Sequence, residues 1–204
     1  YSSAASDVYK RQLRVCEYTL IAQDHKTPGV FMNVTGALAA LGLHVLDAQI
    51  MTRNDGIIFD SFFVDDPDFD GPPSEIKRQK VGRAIIDVLS GNESIKNLMK
   101  RNHRLSFERP FPVIIKPTEV QIDNETSDKF TIIDVFADDR QGLLWVIART
   151  LFELELSIHA ARIATRLDQV VDVFYVTESQ GGKVQDGVAC QKIQEILTKA
   201  VDGE

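Results

Sequence analysis

Residues 24–45 read DHKTPGVFMNVTGALAALGLHV, and residues 139–158 read DRQGLLWVIARTLFELELSI. Each sets a polar, turn-prone stretch before a glycine, then an apolar run at helical spacing, then the start of a β-branched segment. The pattern is written twice, roughly a hundred residues apart, and the correspondence continues on both sides. Thr19-Leu20-Ile21 aligns with Thr131-Ile132-Ile133, and Gly29 with Gly142. Leu38, Leu41 and Leu43 align with Leu151, Leu154 and Leu156; Ile50, Thr52 and Arg53 with Ile163, Thr165 and Arg166; Asp60, Phe62 and Val64 with Asp172, Phe174 and Val176. Two single-residue gaps suffice, both between predicted elements. The chain is an internal duplication.

Each copy has one grammar. Arg14–Ala22 and Lys129–Ala137 are rich in β-formers and predict a first strand. After the glycine, Val30, Val34, Leu38 and Leu41 fall on one helical face, as do Leu143, Ile147, Leu151 and Leu154. Val45–Thr52 and Ile158–Arg166 predict a second strand, Ile57–Val64 and Val170–Thr177 a third. Asn54-Asp55-Gly56 supplies a turn between them that accepts positive φ; Leu167-Asp168-Gln169 serves the same place less well. A second helix follows over Ser74–Leu89 and over Asp186–Val201, with Ser74 and Asp186 as N-caps.

The order β-α-β-β-α is that of the split βαβ, ferredoxin-like unit short of its closing strand, so the fold class is α+β. In the first copy the closing strand is expected within Phe111–Ile122, where Pro110, Pro112 and Pro117 confine it to an edge or to Thr118–Ile122. The second copy stops at Glu204 and is expected to lack a fourth strand of its own. The domain reading is 13–90 for the first unit, 91–128 for a basic connector that includes that closing strand, and 129–204 for the second unit. Residues 1–12, YSSAASDVYKRQ, show no helical or strand period and begin without Met; they are read as a non-native tail, with native chain expected upstream.

Composition narrows the function. The 204 residues are 44% hydrophobic and 26% charged, as in soluble globular domains, and no apolar run approaches the ~20 residues of a membrane helix. A net charge of −7 argues against a dedicated nucleic-acid partner, whose phosphates call for a basic surface. Cys16 and Cys190 are too few and too far apart for a disulfide framework or a zinc site. Asp66, Asp68 and Asp70 with Gly71 begin like a calcium loop, but Lys77 stands where a bidentate Glu is required, so the stretch reads as a solvated loop. His25, His44, His103 and His159 are scattered, and no nucleophile elbow, phosphate-binding loop or dinucleotide fingerprint occurs. The chain shows no catalytic machinery and no metal ligand set.

What remains is the glycine loop before the first helix of each copy. A glycine there leaves the helix's first N–H groups open, which suits a carboxylate; it equally suits close strand-to-helix packing. Asp60 and Asp172 share a strand face with core residues and are read as bonding to Thr52 and Thr165 across the hairpin. Trp145 is read as core or interface.

These residues carry a family likeness. ALAALGLHVLDAQIMTRNDGIIFDSFFV (37–64) and IDNETSDKFTIIDVFADDRQGLLWVIARTLFELELSIHAARIATRLDQVVDVFYVTE (122–178) resemble the two ACT units at the C-terminal end of the bifunctional PII uridylyltransferase/uridylyl-removing enzyme family. The resemblance implies two ferredoxin-like βαββαβ ACT-type units in tandem, sensing glutamine and so controlling UMP transfer to and removal from the PII signal protein in a bacterial cytoplasm. The catalytic domains, with the Mg and UTP they use, are absent from this chain, and self-association between ACT units is open. Asp139-Arg140-Gln141-Gly142-Leu143 matches the family's Asp-Arg-Pro-Gly-Leu loop except at Gln141, while Thr27-Pro28-Gly29-Val30 keeps Pro and Gly without the adjacent Asp-Arg. Where many ACT units place an Asn before the second strand, this chain has His44 and Ser157. The implied ligand set is Pro28, Gly29, Val30, His44, Asp47, Asp139, Arg140, Gly142, Leu143 and Ser157, with no catalytic residue and no metal. The rival expectations are a free-standing ACT-repeat regulator for another amino acid and a ligand-free dimerisation module.

Overall fold

A computed structural model describes residues 15–23, 29–53, 55–67, 71, 73–102, 117–166 and 169–203. In chain order the elements are β1 (Cys16–Gln23), α1 (Val30–Ala40), β2 (His44–Thr52), β3 (Ile57–Asp65), α2 (Glu75–Leu89), α3 (Ile95–Asn102), β4 (Glu119–Asp123), β5 (Thr131–Asp138), α4 (Leu143–Glu153), β6 (Leu156–Arg166), β7 (Gln169–Glu178) and α5 (Gly187–Asp202). The strands alternate as one-sided sheets should: Phe62 and Val64, like Phe174 and Val176, point under the helices and are fully buried. The opposite face is open, and Ile21, Phe59 and Met51 stand exposed in register across β1, β3 and β2.

The expected caps are in place. Ser74 Oγ accepts from the N–H of Lys77 (3.3 Å) and Asp186 Oδ1 from that of Val188 (3.0 Å). A helix the connector was not expected to hold, α3, begins on Ser94, whose Oγ accepts from Asn97 (3.2 Å). It buries Leu98 and packs Ile95 and Met99 against the core, an i, i+3, i+4 stripe that was legible in the sequence.

All strand pairs are antiparallel, in the orders β1-β3-β2 and β4-β5-β7-β6. Two ferredoxin-like units of α+β class therefore stand in tandem, with one correction. Residues 119–123 do not close the first sheet; they pair with β5, Glu119 opposite Phe136 through Asp123 opposite Ile132, and give the second sheet its fourth strand. The second unit thus does not lack an edge strand: the strand arrives before the unit rather than after it. The physical reason is local. Only the turn 124–130 separates β4 from β5, so a short hairpin closes at far less entropy than a return to the first sheet. Asn124 holds that turn, donating to Val184 O (2.8 Å) and accepting from Thr131 Oγ1 (2.7 Å). The earlier part of the expected closing strand, 111–116, lies outside the described residues, as do Pro28, Asn54, Asp68, Asp70 and residues 1–14. Among the described residues the first sheet has three strands.

The two units share one core. The outer edges of β2 and β6 lie against each other, and α1 packs beside α4. Phe31 of α1 stacks on Phe62 of its own sheet (centroids 5.8 Å apart) and meets Phe174 of the other sheet edge-on (6.3 Å). Each such pair is worth about 0.5–1.5 kcal/mol beyond the area it buries. No helix among the described residues is long and apolar enough to cross a membrane.

Because Phe31 touches both sheets, Phe31→Ala should destabilise the whole chain by roughly 3–5 kcal/mol, a drop in melting temperature of roughly 10 °C. Calorimetry should show one transition moving as a unit; two separate transitions, with only one displaced, would contradict a shared core.

Candidate functional site

The helices that carry the glycine loops start differently from the others. α1 and α4 have Gly29 (φ 67°) and Gly142 (φ 80°) at the N-cap, both left-handed, with no side-chain cap. A β-carbon at that φ is strained, so glycine is the residue that lets the strand-to-helix turn be this tight. First-turn N–H groups such as those of Leu144 and Trp145 have no acceptor within the helix.

The packing of the units turns each loop towards the other unit. Cleft A lies between the loop Asp139–Leu143 and the far end of α1 with the start of β2, and its wall includes Thr35, Ala39, His44, Trp145 and Asp172. Cleft B is its pseudo-symmetric counterpart, between the Gly29–Val30 turn and the far end of α4 with the start of β6; its wall includes Asp60, Ala148, Phe152, Ser157 and His159. The duplication maps one wall onto the other: Gly142 onto Gly29, Asp172 onto Asp60, His44 onto Ser157, Thr35 onto Ala148, Ala39 onto Phe152.

In cleft A the units are joined by a charge pair. His44 Nε2 lies 3.1 and 3.3 Å from the two carboxylate oxygens of Asp139, and His44 Nδ1 lies 3.9 Å from Asp65. The Asp139 hydrogen bond raises the His44 pKa above its ordinary value; burial opposes it, and the charges of Asp139, Asp65 and Asp172 add to it. Arg140 is anchored from behind, donating to Val201 O at the end of α5 (2.7 Å). Asp172 is 1% exposed at the wall. Trp145, the chain's one tryptophan, lies against Gly36, where an added β-carbon would come within 2.8 Å of the indole; its Nε1 is buried without a hydrogen-bond partner. The cavity volume is about 30 Å³, room for a water molecule but not for an amino acid.

Of the ten expected ligand residues, His44, Asp139, Arg140, Gly142 and Leu143 come together at cleft A, and Gly29, Val30 and Ser157 at cleft B. Asp47 follows a β-bulge, pairs with Phe63 on the open sheet face and lines neither cleft. The sequence reading left out Asp60 and Asp172 as ligand residues, although their recurrence in both copies was the available signal. Their expected bonds to Thr52 and Thr165 rest on side chains outside the described set. In the acidic loop, Asp66 is buried and ion-paired with Lys77, the residue standing where a calcium loop needs its Glu. Among the described residues no group of three or more His, Cys, Asp or Glu could hold a metal ion.

Two ferredoxin-like units, packed so that each glycine loop faces the other's second strand, form a tandem, and the second of them carries the family match. Residues 119–202 match a family model described as ACR9-like, ACT-like domain, and the match begins at β4, in line with the sheet topology. The bifunctional uridylyltransferase/uridylyl-removing enzyme of Bradyrhizobium diazoefficiens is 35% identical over 191 residues, 93% of this chain and 20% of that protein. That of Gluconobacter oxydans is 34% identical over 183 residues, 90% and 19%. The chain is therefore homologous to the bifunctional uridylyltransferase/uridylyl-removing enzymes over a segment of about a fifth of their length. The crystal structure of aspartate kinase from Synechocystis superposes with a TM-score of 0.46 at 13% identity, over 93% of this chain and 27% of that one.

A raised His44 pKa gives the stability of the folded chain a pH signature. The contribution is full below the ordinary histidine pKa of about 6.5 and is lost as pH rises through the raised value. Wild type should thus exceed His44→Gln by about 1 kcal/mol at pH 6 and converge with it at alkaline pH, above the raised value, since a pair still reached by water is worth little more. Denaturant titrations at both pH values check this; a gap that is constant or widens with pH would contradict the pairing.

Proposed function

We propose that this chain is the glutamine-sensing regulatory region of a PII uridylyltransferase/uridylyl-removing enzyme, and that cleft A is its effector site. The observation that carries the reading is the meeting of the Asp139–Leu143 loop with His44 of the other unit over a buried Asp172. The homology to enzymes bearing that name supports it.

Each part of glutamine has a partner of fitting chemistry. The α-carboxylate takes the open N–H groups at the start of α4. The ammonium takes the Asp172 and Asp139 carboxylates, and the side-chain amide takes Thr35 and His44. With so small a cavity, the ligand enters by parting His44 from Asp139, which moves one unit against the other. That motion is the signal, a coupling of typically ~1–3 kcal/mol, and it sets whether UMP is added to the PII protein or removed. UTP and Mg act in catalytic domains outside this chain, and the setting is the bacterial cytoplasm.

Trp145 at the cleft wall reports the event. Titration with L-glutamine should change its emission saturably, and glutamate should bind more weakly because it brings a second carboxylate to an acidic wall. Gly142→Val, with a β-branched side chain at φ 80°, should remove binding while lowering stability by only about 1–3 kcal/mol. Unchanged glutamine affinity in that variant would sink the assigned site. A saturable response to another amino acid alone would make the chain a sensor of that ligand.

A further inference from the structure

We infer that the His44–Asp139 pair is a proton-operated latch on cleft A: it holds the two units together while His44 is cationic and lets them part when His44 is neutral, so that the chain reads its effector against pH. In naming glutamine as that effector, the inference rests on the reading of cleft A as the effector site.

The latch belongs to one cleft of the two. His44 maps onto Ser157, and Asp139, counted back from the paired glycines, onto Lys26, so neither member of the pair recurs in the other copy. The contact joins the first residue of β2 to the loop before α4, across the seam between the units. His44 Nε2 lies within 3.3 Å of both carboxylate oxygens of Asp139, while 28% of the His44 side chain and 19% of the Asp139 side chain stay exposed. Water therefore reaches the pair, and the imidazole can exchange its proton with solvent while the chain stays folded. The cavity beside it holds about 30 Å³, so an amino acid enters only when the pair separates.

The protonation state sets what that separation costs. An imidazolium donates from both ring nitrogens, Nε2 to Asp139 and Nδ1 towards Asp65 at 3.9 Å. The neutral ring carries one proton and no charge, and its bond to a carboxylate is weaker. Among the described residues the charged groups that face His44 are Asp139 on the loop, Asp65 on β3 and Asp172 on β7; the cation of the cleft wall, Arg140, is anchored on Val201 O, and α1 contributes the uncharged Thr35 and Ala39. The Asp139 hydrogen bond raises the His44 pKa, burial opposes it, and the three carboxylates add to it. Parting the pair removes the largest of these contributions, so His44 is less basic in the open cleft than in the closed one. The open, ligand-bound form then holds fewer protons than the closed form. Affinity rises with pH between the two His44 values and is level below both and above both.

Calorimetry with L-glutamine on the whole chain tests this, from pH 6 to alkaline values that still lie below the titration of glutamine's own ammonium. Glutamine should bind about fivefold more tightly at the upper end, the ratio that a water-reached ion pair corresponds to. Inside the window, titrations in two buffers of different ionisation enthalpy should show a fraction of a proton released per glutamine bound. His44→Gln keeps a hydrogen-bonding side chain that does not titrate; its affinity should be level across the range, and its binding should release no proton. A merely structural contact would instead be weakened equally at every pH. Without ligand, hydrogen exchange at residues 43–46 and 140–146, corrected for the intrinsic rate, should report more frequent opening as pH rises in wild type and no such trend in His44→Gln. Glutamine bound equally well at every pH, proton uptake in place of release, or opening indifferent to pH would each overturn the latch. If glutamine binds at no pH, the effector reading fails, and the exchange comparison still decides the latch.

Discussion

Strands β2 and β6 are the outer edges of two different sheets. Each uses one side of its backbone on its own hairpin partner and turns the other side towards its counterpart. Open edges of this kind are a liability, and here the two cover one another while α1 and α4 close over the seam. Everything of functional interest hangs on that packing. Neither cleft exists in a single unit, because each is half glycine loop and half the other unit's second strand. The aromatic bridge from Phe31 to Phe174 ties the seam to the core beneath. A ligand of the kind proposed, parting the walls of a cleft, would work against the same surfaces that hold the halves together.

Duplication supplied two equivalent clefts, and substitution at a few wall positions made them different. Exchanging His44 for Ser157 and Ala39 for Phe152 changes the side chains that face each glycine loop. The buried aspartate remains in both, on the same face of the same strand.

Much of this was legible in the sequence because the duplication forced a consistent reading. Leu38 with Leu151 and Phe62 with Phe174 fixed helix and strand faces together, and Ser74 and Asp186 marked helix starts through chemistry that acts over two or three residues. Partner choice was not legible. Val120 and Ile122 alternate as an edge strand must, but alternation carries no address, and the short turn after Asp123 decided that the strand joined the second sheet. Nor could spacing show that His44 and Asp139, 95 residues apart, meet across the seam. The loop residues were singled out by their glycine and family likeness. Asp60 and Asp172 were passed over because a buried aspartate on a strand has a plain structural use, and only three-dimensional packing shows that each also faces a cleft.

The claim that the effector site is shared between the units is tested most directly by hydrogen exchange with and without L-glutamine. Residues 140–146 and 43–46 come from different units and should gain protection together, with the same dependence on glutamine concentration. Protection confined to one of these stretches, or appearing in the two at different concentrations, would contradict a cleft built by both.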